Sequence, residues 1–307
     1  MTATPGIEPI LPNVEPEPKN FFYPAVLDKT LHPTVLKVLN MTNAEFARRY
    51  CQIHKKANES TLLKLMNAKV SFYRWGGADL MRAKDSKGQE KMVIIEMNSC
   101  PSGNKSVPFK EWGFEGFSRV MANAFVPLLA QKNLPVGGSL AVFYDVAKQR
   151  KESLAYATML AKMTGEIVYL ADVGYGIELP TFLKWSPEGV CSLEIEPGTW
   201  KEMRAVFRYV TRRPWVKLPL LTKTVVLNPV IACLAGGRNK LLAAKAYEIF
   251  NDKYDKSDGL CIHFPLSITD VTKQSIPKYA EKMNYQLVVK ITDLENIRSL
   301  VMLLKCG

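Results

Sequence analysis

An alternation of strand, helix and strand between residues 139 and 173 constrains the fold more than any other feature. SLAVFYD (139–145) and EIVYLADV (166–173) are apolar runs with the length of buried strands. Between them, AKQRKESLAYATMLAKMTG (147–165) has apolar residues at helical spacing and ends at Gly165, a common helix stop. Strands joined by a helical crossover pair in parallel, with a right-handed connection in almost all proteins. The sequence therefore predicts an α/β fold with a parallel β-α-β unit.

The amino-acid composition is typical of a soluble globular protein. Of 307 residues, 47% are hydrophobic and 23% are charged. The start contains no secretory apolar region, and no apolar run reaches transmembrane length. We therefore expect a cytoplasmic protein without membrane association. Residues 1–24 contain six prolines and scattered acids, which predicts an extended or disordered arm.

The net charge and the cysteines restrict the class of partner. A net charge of +12 favours an anionic partner, such as a nucleotide, a nucleic acid or an acidic membrane. No long block of lysine and arginine occurs, and no aromatic-and-basic motif of an RNA-binding domain is present, so nucleic acid is the less favoured partner. The six cysteines are far apart and form no CxxC pair, which predicts reduced thiols.

A polar strand end is the main candidate for chemistry. Residues 70–96 predict two strands joined by a turn at 85–88, and the second strand ends in VIIEMNSCPSG (93–103). Glu96 and Asn98 stand two apart, so both side chains face one side of a strand, and Asp79 on the neighbouring strand could supply a third oxygen. Oxygen ligands of this kind suit Mg²⁺. The alternative is a strand end that is polar because it reaches solvent.

The surrounding motif resembles a known superfamily. ADLMRAKDSKGQEKMVIIEMNSCPSG (78–103) is similar to the metal-binding segment of ATP-grasp proteins. That resemblance implies that Asp79, Glu96 and Asn98 hold Mg²⁺ against the phosphates of ATP. Because the ExN motif comes early and candidate lysines come late, the order resembles the circularly permuted, glutathionylspermidine synthase-like members. In those members, an asparagine-lysine helix start and a later strand lysine complete the ATP site. The matching residues of this sequence are Asn239 and Lys240 of GGRNKLLAAKAY and Lys290 of QLVVK.

The residues around these lysines also permit simpler interpretations. Lys290 ends a β-branched strand and could reach a phosphate while its stem packs on apolar neighbours, or it could simply extend to solvent. Gly236 and Gly237 before a helix could bring backbone N–H groups to an anion, or they could form an ordinary loop. The sequence alone leaves both choices open.

Further polar residues are candidates for contacts with a carboxylate substrate. Arg208 and Arg213 of FRYVTRRPW could clamp a carboxylate with two hydrogen bonds, although a solvated charge cluster is an equal alternative. Ser102 and Asn104 follow the metal motif and could contact the acyl substrate or a phosphate. Cys100 has no histidine near it in the sequence, which favours a packed thiol over a nucleophile.

The C-terminal part departs from the superfamily pattern. The family's Gly-rich loop, which covers the ATP phosphates, would follow Lys290, but no glycine occurs between Gly259 and Gly307. We therefore expect a shortened chain relative to the family, with TDLENIRSLVMLLK (292–305) as a closing helix. The expected regions are the arm at 1–24, a metal-motif region at 25–130, an α/β subdomain at 131–235 and a partial nucleotide-binding subdomain at 236–307.

The resemblance implies an ATP- and Mg²⁺-dependent ligase. Such an enzyme would join a small-molecule or peptide carboxylate to an amine or thiol through an acyl phosphate. Two other hypotheses remain open. One is an ATP-grasp-like binding or regulatory protein without catalysis, suggested by the missing Gly-rich loop, and the other is a basic nucleic-acid-binding protein, suggested by the net charge alone.

Overall fold

The computed structural model describes residues 4–84, 87–130, 137–145, 150–174, 176–210, 214–233, 240–282, 284, 288–291 and 299–302. For residues 214, 269–270, 288–291 and 299–302 it describes the backbone alone. The strands are β1 (Ile7–Ile10), β2 (Gly77–Lys84), β3 (Glu90–Asn98), β4 (Ser139–Tyr144), β5 (Val168–Asp172), β6 (Leu183–Trp185), β7 (Cys191–Glu196), β8 (Thr199–Tyr209), β9 (Val225–Leu227), β10 (Ser267–Val271), β11 (Val288–Ile291) and β12 (Ser299–Met302). The α-helices are α1 (Pro33–Leu39), α2 (Asn43–Ile53), α3 (Glu59–Met66), α4 (Glu115–Val120), α5 (Arg150–Thr164), α6 (Pro214–Lys217), α7 (Val230–Ala232), α8 (Lys240–Asp258) and α9 (Ile276–Lys282).

The chain divides into two compact units, and both are discontinuous in sequence. The first unit comprises Met1–Leu36, Val70–Trp75 and Cys100–Ile231, and the second comprises Lys37–Lys69, Gly76–Ser99 and Ala232–Gly307. The contiguous regions expected at 25–130, 131–235 and 236–307 therefore do not match these compact units. The reason is that hairpin β2–β3 packs with C-terminal elements that follow it by more than 140 residues.

The first unit is built on one mixed sheet in the order β1-β5-β4-β8-β7-β6, with β9 beside β8. Strand β4 pairs in parallel with β5 and β8, and β8 pairs in parallel with β9, while the remaining pairs are antiparallel. Helix α5 connects β4 to β5 and buries Tyr156 and Leu160 in the core beneath the sheet. The predicted α/β class with a parallel β-α-β unit is confirmed.

The N-terminal segment is ordered over residues 4–24, so the disordered alternative is wrong there, while the extended alternative agrees with strand β1. Strand β1 pairs antiparallel with β5 and buries Ile7 and Ile10. Phe21 and Phe22 are also buried and form edge-to-face ring contacts with Phe114 and neighbouring phenylalanines. The prolines suggested disorder, but these four apolar residues between them bury enough surface to hold the segment.

The second unit contains α2 and α3, the hairpin β2–β3, helix α8 and a small antiparallel sheet in the order β10-β12-β11. Helix α2 begins with a capping box in which Thr42 and Glu45 satisfy each other's backbone N–H groups. Residues 299–302 form β12 between β10 and β11, so the closing helix expected over 292–305 is wrong at these residues. The residues 292–298 of that expected helix lie outside the described residues.

Two further expectations concern membranes and thiols. Within the described residues, no helix has both the length and the apolar character needed to cross a bilayer. Cys51, Cys100, Cys191, Cys233 and Cys261 are all free thiols, as predicted, and Cys306 lies outside the described residues.

Candidate functional site

The register of the β2–β3 hairpin brings the three predicted metal ligands together. Asp79 lies directly opposite Glu96, and Gly77 lies opposite Asn98. Opposite residues of an antiparallel pair share a face, and so do residues two apart on one strand. The register shifts immediately afterwards, where Leu80 pairs with Ile94. The side chains of Asp79, Glu96 and Asn98 therefore share one face at the end of the hairpin.

A lysine from α8 completes this group, which we call the hairpin cluster (Asp79, Glu96, Asn98 and Lys240). The Nζ of Lys240, the first residue of α8, lies 3.4 Å from Oε2 of Glu96 and donates to the carbonyl of Met97 at 3.0 Å. The Nδ2 of Asn98 donates to Oδ2 of Asp79 at 3.3 Å. The Lys240 and Glu96 side chains are 16% and 27% exposed, so the charges are partly shielded but can be reached from solvent.

The composition of the hairpin cluster suits a hard divalent cation. Two carboxylates and one ammonium leave a formal charge of −1, and Asp79 is exposed. Mg²⁺ in proteins is commonly held by one or two carboxylates together with water and phosphate oxygens. The same four side chains can also satisfy one another, as an ion pair and a hydrogen bond. No group of three or more histidine, cysteine or acidic side chains among the described residues is arranged to hold a metal, so any Mg²⁺ here would depend on non-protein ligands.

The described residues form a small cavity next to the hairpin cluster. A cavity lined by Glu96, Lys240, Ala243, Tyr247 and Phe264, among others, holds about 10 Å³, which is room for about one water molecule. An adenine ring would not fit in that cavity without movement of the surrounding side chains.

The other predicted nucleotide residues are only partly described. Lys290 lies in β11 opposite Leu300 of β12, and its side chain is not among those described. Asn239, Gly236 and Gly237 lie outside the described residues. Their role in an ATP site stays a prediction.

In the first unit, Ser102 belongs to a polar group around the buried Glu152 carboxylate, which we call the Glu152 cluster (Ser102, Gly103, Lys105, Glu152 and Tyr209). Oε2 of Glu152 accepts from the Ser102 hydroxyl, from Nζ of Lys105 at 2.7 Å and from the Tyr209 hydroxyl at 2.6 Å. Oε1 accepts from the backbone N–H groups of Gly103 at 2.8 Å and Lys105 at 3.3 Å. One carboxylate thus accepts five hydrogen bonds, four of which fix the turn at residues 102–105.

The charge of Glu152 is stabilised by these donors. Burial alone raises the pKa of this carboxyl, but hydrogen bonds from Lys105, Ser102, Tyr209 and the Gly103 N–H outweigh it and lower the pKa to about 2. Lys105 is nearly as buried, with an 8% exposed side chain. The group is therefore a buried ion pair with additional donors, and its chemistry is that of a structural anchor.

The two candidates for substrate contact in this turn, Ser102 and Asn104, differ in their exposure to solvent. Ser102 is exposed, and its hydroxyl also accepts from Nζ of Lys105 at 2.6 Å. Asn104 is half-buried and donates from Nδ2 to the Tyr156 hydroxyl at 2.9 Å. Their contact with a substrate stays a prediction, and Ser102 is the one that reaches solvent.

Of the two arginine candidates for a carboxylate clamp, only Arg208 is among the described residues. Arg208 is fully buried. Its Nε donates to the carbonyl of Asn228 at 2.6 Å, and its Nη1 donates to the carbonyl of Val210 at 2.6 Å. It therefore joins the end of β8 to the turn after β9. Arg213 lies outside the described residues. Cys100 is buried and its thiol lies 3.7 Å from the carbonyl of Arg208, which agrees with the predicted packed thiol.

Sequence reasoning missed Glu152, Lys105 and Tyr209. A signal for Glu152 was present, since it lies four and eight residues before Tyr156 and Leu160 on the core face of α5. A carboxylate on a core face needs buried donors, and two of them, Ser102 and Lys105, lie close together in the sequence. The partnership between distant segments could not be read from the sequence.

Comparison with known proteins gives limited information. No family model and no curated protein matches this chain. Among solved structures, a glutathione synthetase like-effector from Globodera pallida, in its apoform, superposes with a TM-score of 0.41 at 11% sequence identity, covering 97% of this chain and 84% of that chain. At that level of similarity, the comparison carries no weight for the function of this chain.

Proposed function

We propose that the chain is an ATP-grasp-like protein that binds Mg²⁺ and ATP and acts as a carboxylate–amine or carboxylate–thiol ligase. The observation that carries the proposal is the hairpin cluster, in which Asp79, Glu96 and Asn98 share one face while Nζ of Lys240 lies 3.4 Å from Glu96. The sequence of the same segment resembles the metal motif of that superfamily. Three residues of the hairpin cluster, Asp79, Glu96 and Asn98, belong to that segment, and the same resemblance matches the fourth, Lys240, to the ATP site.

The residues fit the proposed cofactors by their chemistry. Asp79, Glu96 and the amide oxygen of Asn98 would hold Mg²⁺, which supplies charge neutralisation at phosphate oxygens when bound. Lys240, paired with Glu96 in this structure, would donate to a phosphate oxygen, as lysine ammonium groups do at nucleotide sites. Lys290 is proposed as the second lysine and Asn239 as a further nucleotide contact.

The reaction proposed has two steps. A substrate carboxylate oxygen attacks the γ-phosphorus of ATP and releases ADP, which gives an acyl phosphate. An amine or thiol then attacks the acyl carbon, the phosphate leaves, and the nucleophile loses its proton. The chain's contribution is positioning and electrostatic stabilisation, with no covalent enzyme intermediate.

The test is calorimetric titration of Mg·ATP into the parent and into Glu96→Gln. Glutamine keeps the size of Glu96 but removes its charge, so we expect at least about tenfold weaker binding, as for loss of one charge-assisted contact. Glu90→Gln is the matched control, because Glu90 lies on the same strand and pairs with Arg82 on the exposed hairpin. Equal binding by the parent and Glu96→Gln would count against the proposal, as would equal weakening in Glu90→Gln.

A second candidate is a protein of the same ancestry that binds nucleotide without ligase turnover. It is favoured by one sequence observation, since residues 291–306 contain no glycine for a phosphate-covering loop. Incubation with Mg·ATP, a panel of carboxylic acids and hydroxylamine distinguishes the two, because hydroxylamine traps an acyl phosphate as a hydroxamate. Hydroxamate that forms with the parent and is lost in Lys240→Met supports the ligase. Tight nucleotide binding without hydroxamate for any acid supports the second candidate.

A further inference from the structure

A cysteine and a histidine of the second unit line a cavity that the proposed function does not use. The cavity holds about 320 Å³, and its lining includes Cys261, His263, Asn251, Lys84 and Lys91. The Sγ of Cys261 lies 3.9 Å from Nδ1 of His263. Thiol and imidazole are the two side-chain ligands that soft and borderline transition metals prefer.

The backbone around this pair is held in place on two sides. Asn251 of α8 donates from Nδ2 to the carbonyl of Ile262 at 2.8 Å, and its Oδ1 accepts from the Ile262 N–H at 2.7 Å. The carbonyl of His263 accepts from the N–H of Ile94 in β3 at 2.8 Å. These bonds anchor the segment that carries residues 261 and 263. The two side chains are therefore positioned before any ligand arrives, which lowers the ordering cost of binding.

The distance between the two ligand atoms permits a shared metal. A metal bound by a thiolate and an imidazole lies about 2.3 Å from sulfur and about 2.0 Å from nitrogen, so the two ligand atoms can be no more than about 4.3 Å apart. The observed 3.9 Å satisfies this limit with a wide angle at the metal. A wide angle suits a site of low coordination number, and no third histidine, cysteine or acidic ligand joins the pair among the described residues.

The charges around the cavity favour a univalent ion. Lys84 and Lys91 line it, while Asp255 is exposed and near enough to act on the thiol electrostatically. A thiolate with a univalent ion is neutral overall, whereas a divalent ion would leave a positive charge beside two lysines. Thiolate and imidazole ligands, low coordination and a single charge together describe Cu(I).

We propose that Cys261 and His263 form a two-ligand site for Cu(I), independent of the proposed ligase function. Binding deprotonates the thiol, because the thiolate is the ligand, so one proton is released for each ion bound.

The experiment is an anaerobic titration of the reduced full chain with Cu(I), in competition with bicinchoninate. A background with Cys51→Ser and Cys306→Ser removes the other partly exposed described thiol and the cysteine outside the described residues. In that background we expect one Cu(I) and about one released proton per chain. Cys261→Ser and His263→Gln should each weaken binding at least about 100-fold.

Two readouts keep the result independent of misfolding. X-ray absorption at the copper edge should show one sulfur and one nitrogen ligand, and thermal melting of the metal-free variants should match the background. Stoichiometric Cu(I) binding that survives Cys261→Ser would overturn the site. Undiminished binding in His263→Gln, or a copper spectrum with two sulfur ligands, would likewise exclude the Cys261–His263 pair.

Discussion

At the scale of single residues, Glu152 is a carboxylate with no exposed surface that nevertheless carries its charge. Its side chain is fully buried against Lys105, and five donors surround its two oxygens. A buried ion pair adds little net stability when compared with an apolar replacement of both partners. Removing one partner is different, because it leaves the other charge buried without compensation.

We therefore predict that Glu152→Gln lowers the free energy of unfolding by about 3 kcal/mol at pH 7. Glutamine retains the shape and one acceptor oxygen, but it leaves the Lys105 ammonium buried without a counter-charge. Urea denaturation at pH 7 measures the loss. Glu115→Gln is the control, since Glu115 forms a surface pair with Arg119 and should change stability by less than about 1 kcal/mol. A loss for Glu152→Gln as small as that of the control would contradict the anchor role.

The same carboxyl gives a pH dependence with a definite sign. The pKa of Glu152 is lowered from 4.5 to about 2 on folding, so its contribution is fully present above pH 4.5 and is lost as the pH falls toward 2. The stability difference between the parent and Glu152→Gln should therefore shrink across this interval. A difference that stays constant from pH 5 to pH 2.5 would show that the carboxylate is not the stabilised form.

At the scale of elements, α5 and the two strands beside it were predicted correctly, and the residues of β12 were not. Helix α5 between β4 and β5 follows from helical spacing flanked by two apolar strands. The residues of β12 read equally well as helix or strand, because four residues carry no period of their own. Their pairing with β10 and β11 decided the outcome.

The same contrast holds for the candidate site. The shared face of Asp79, Glu96 and Asn98 could be predicted, because the strand period of two fixes it locally. The burial of Arg208 could not, since the carbonyl of Asn228 that it meets comes from a strand end twenty residues later. Local spacing predicts which side chains share a face, while tertiary contacts decide which of them remain accessible.

Gly259, at the end of α8, provides a prediction at this scale. Its φ is +63°, and an added Cβ would lie 2.2 Å from the carbonyl oxygen of Lys56. Gly259→Ala therefore combines a left-handed backbone with a clash against backbone, and we expect it to cost about 3 kcal/mol or more. Hydrogen exchange should accelerate in α8 and α3, because Asp258 hydrogen-bonds Thr61 of α3 at 2.6 Å.

Gly198→Ala is the matched control for Gly259→Ala. Gly198 has a φ of +79°, but an added Cβ there would have no neighbouring atom within 4 Å, so only the backbone preference is lost. That loss alone is about 1–2 kcal/mol. Equal costs for the two substitutions would show that the approach of Lys56 to Gly259 is not close in solution.

At the scale of the whole molecule, the chain passes repeatedly between two compact units. The second unit draws together residues 37–69, 76–99 and 232–307, so hairpin β2–β3 and α8 belong to one unit despite their separation in sequence. Composition and motif order cannot reveal such a division, because it depends on contacts between distant segments. The division has a consequence for the proposed nucleotide site, since Asp79, Glu96, Asn98 and Lys240 all belong to the second unit.

We therefore expect ligand binding to slow amide exchange mainly in the second unit. A ligand at 100 times its dissociation constant stabilises the native state by about 2.7 kcal/mol, and local protection rises where its contacts lie. With Mg·ATP in excess, we predict slower amide exchange in β3 and the first turns of α8, with little change in β4 and β5. Hydrogen exchange with mass spectrometry measures this by segment.

In Glu96→Gln the protection of β3 and α8 should disappear, because the carboxylate that would face the cation is lost. Protection that appears in β4 and β5 but not in β3 would place the nucleotide away from the hairpin cluster, and protection that persists unchanged in Glu96→Gln would assign binding to other residues.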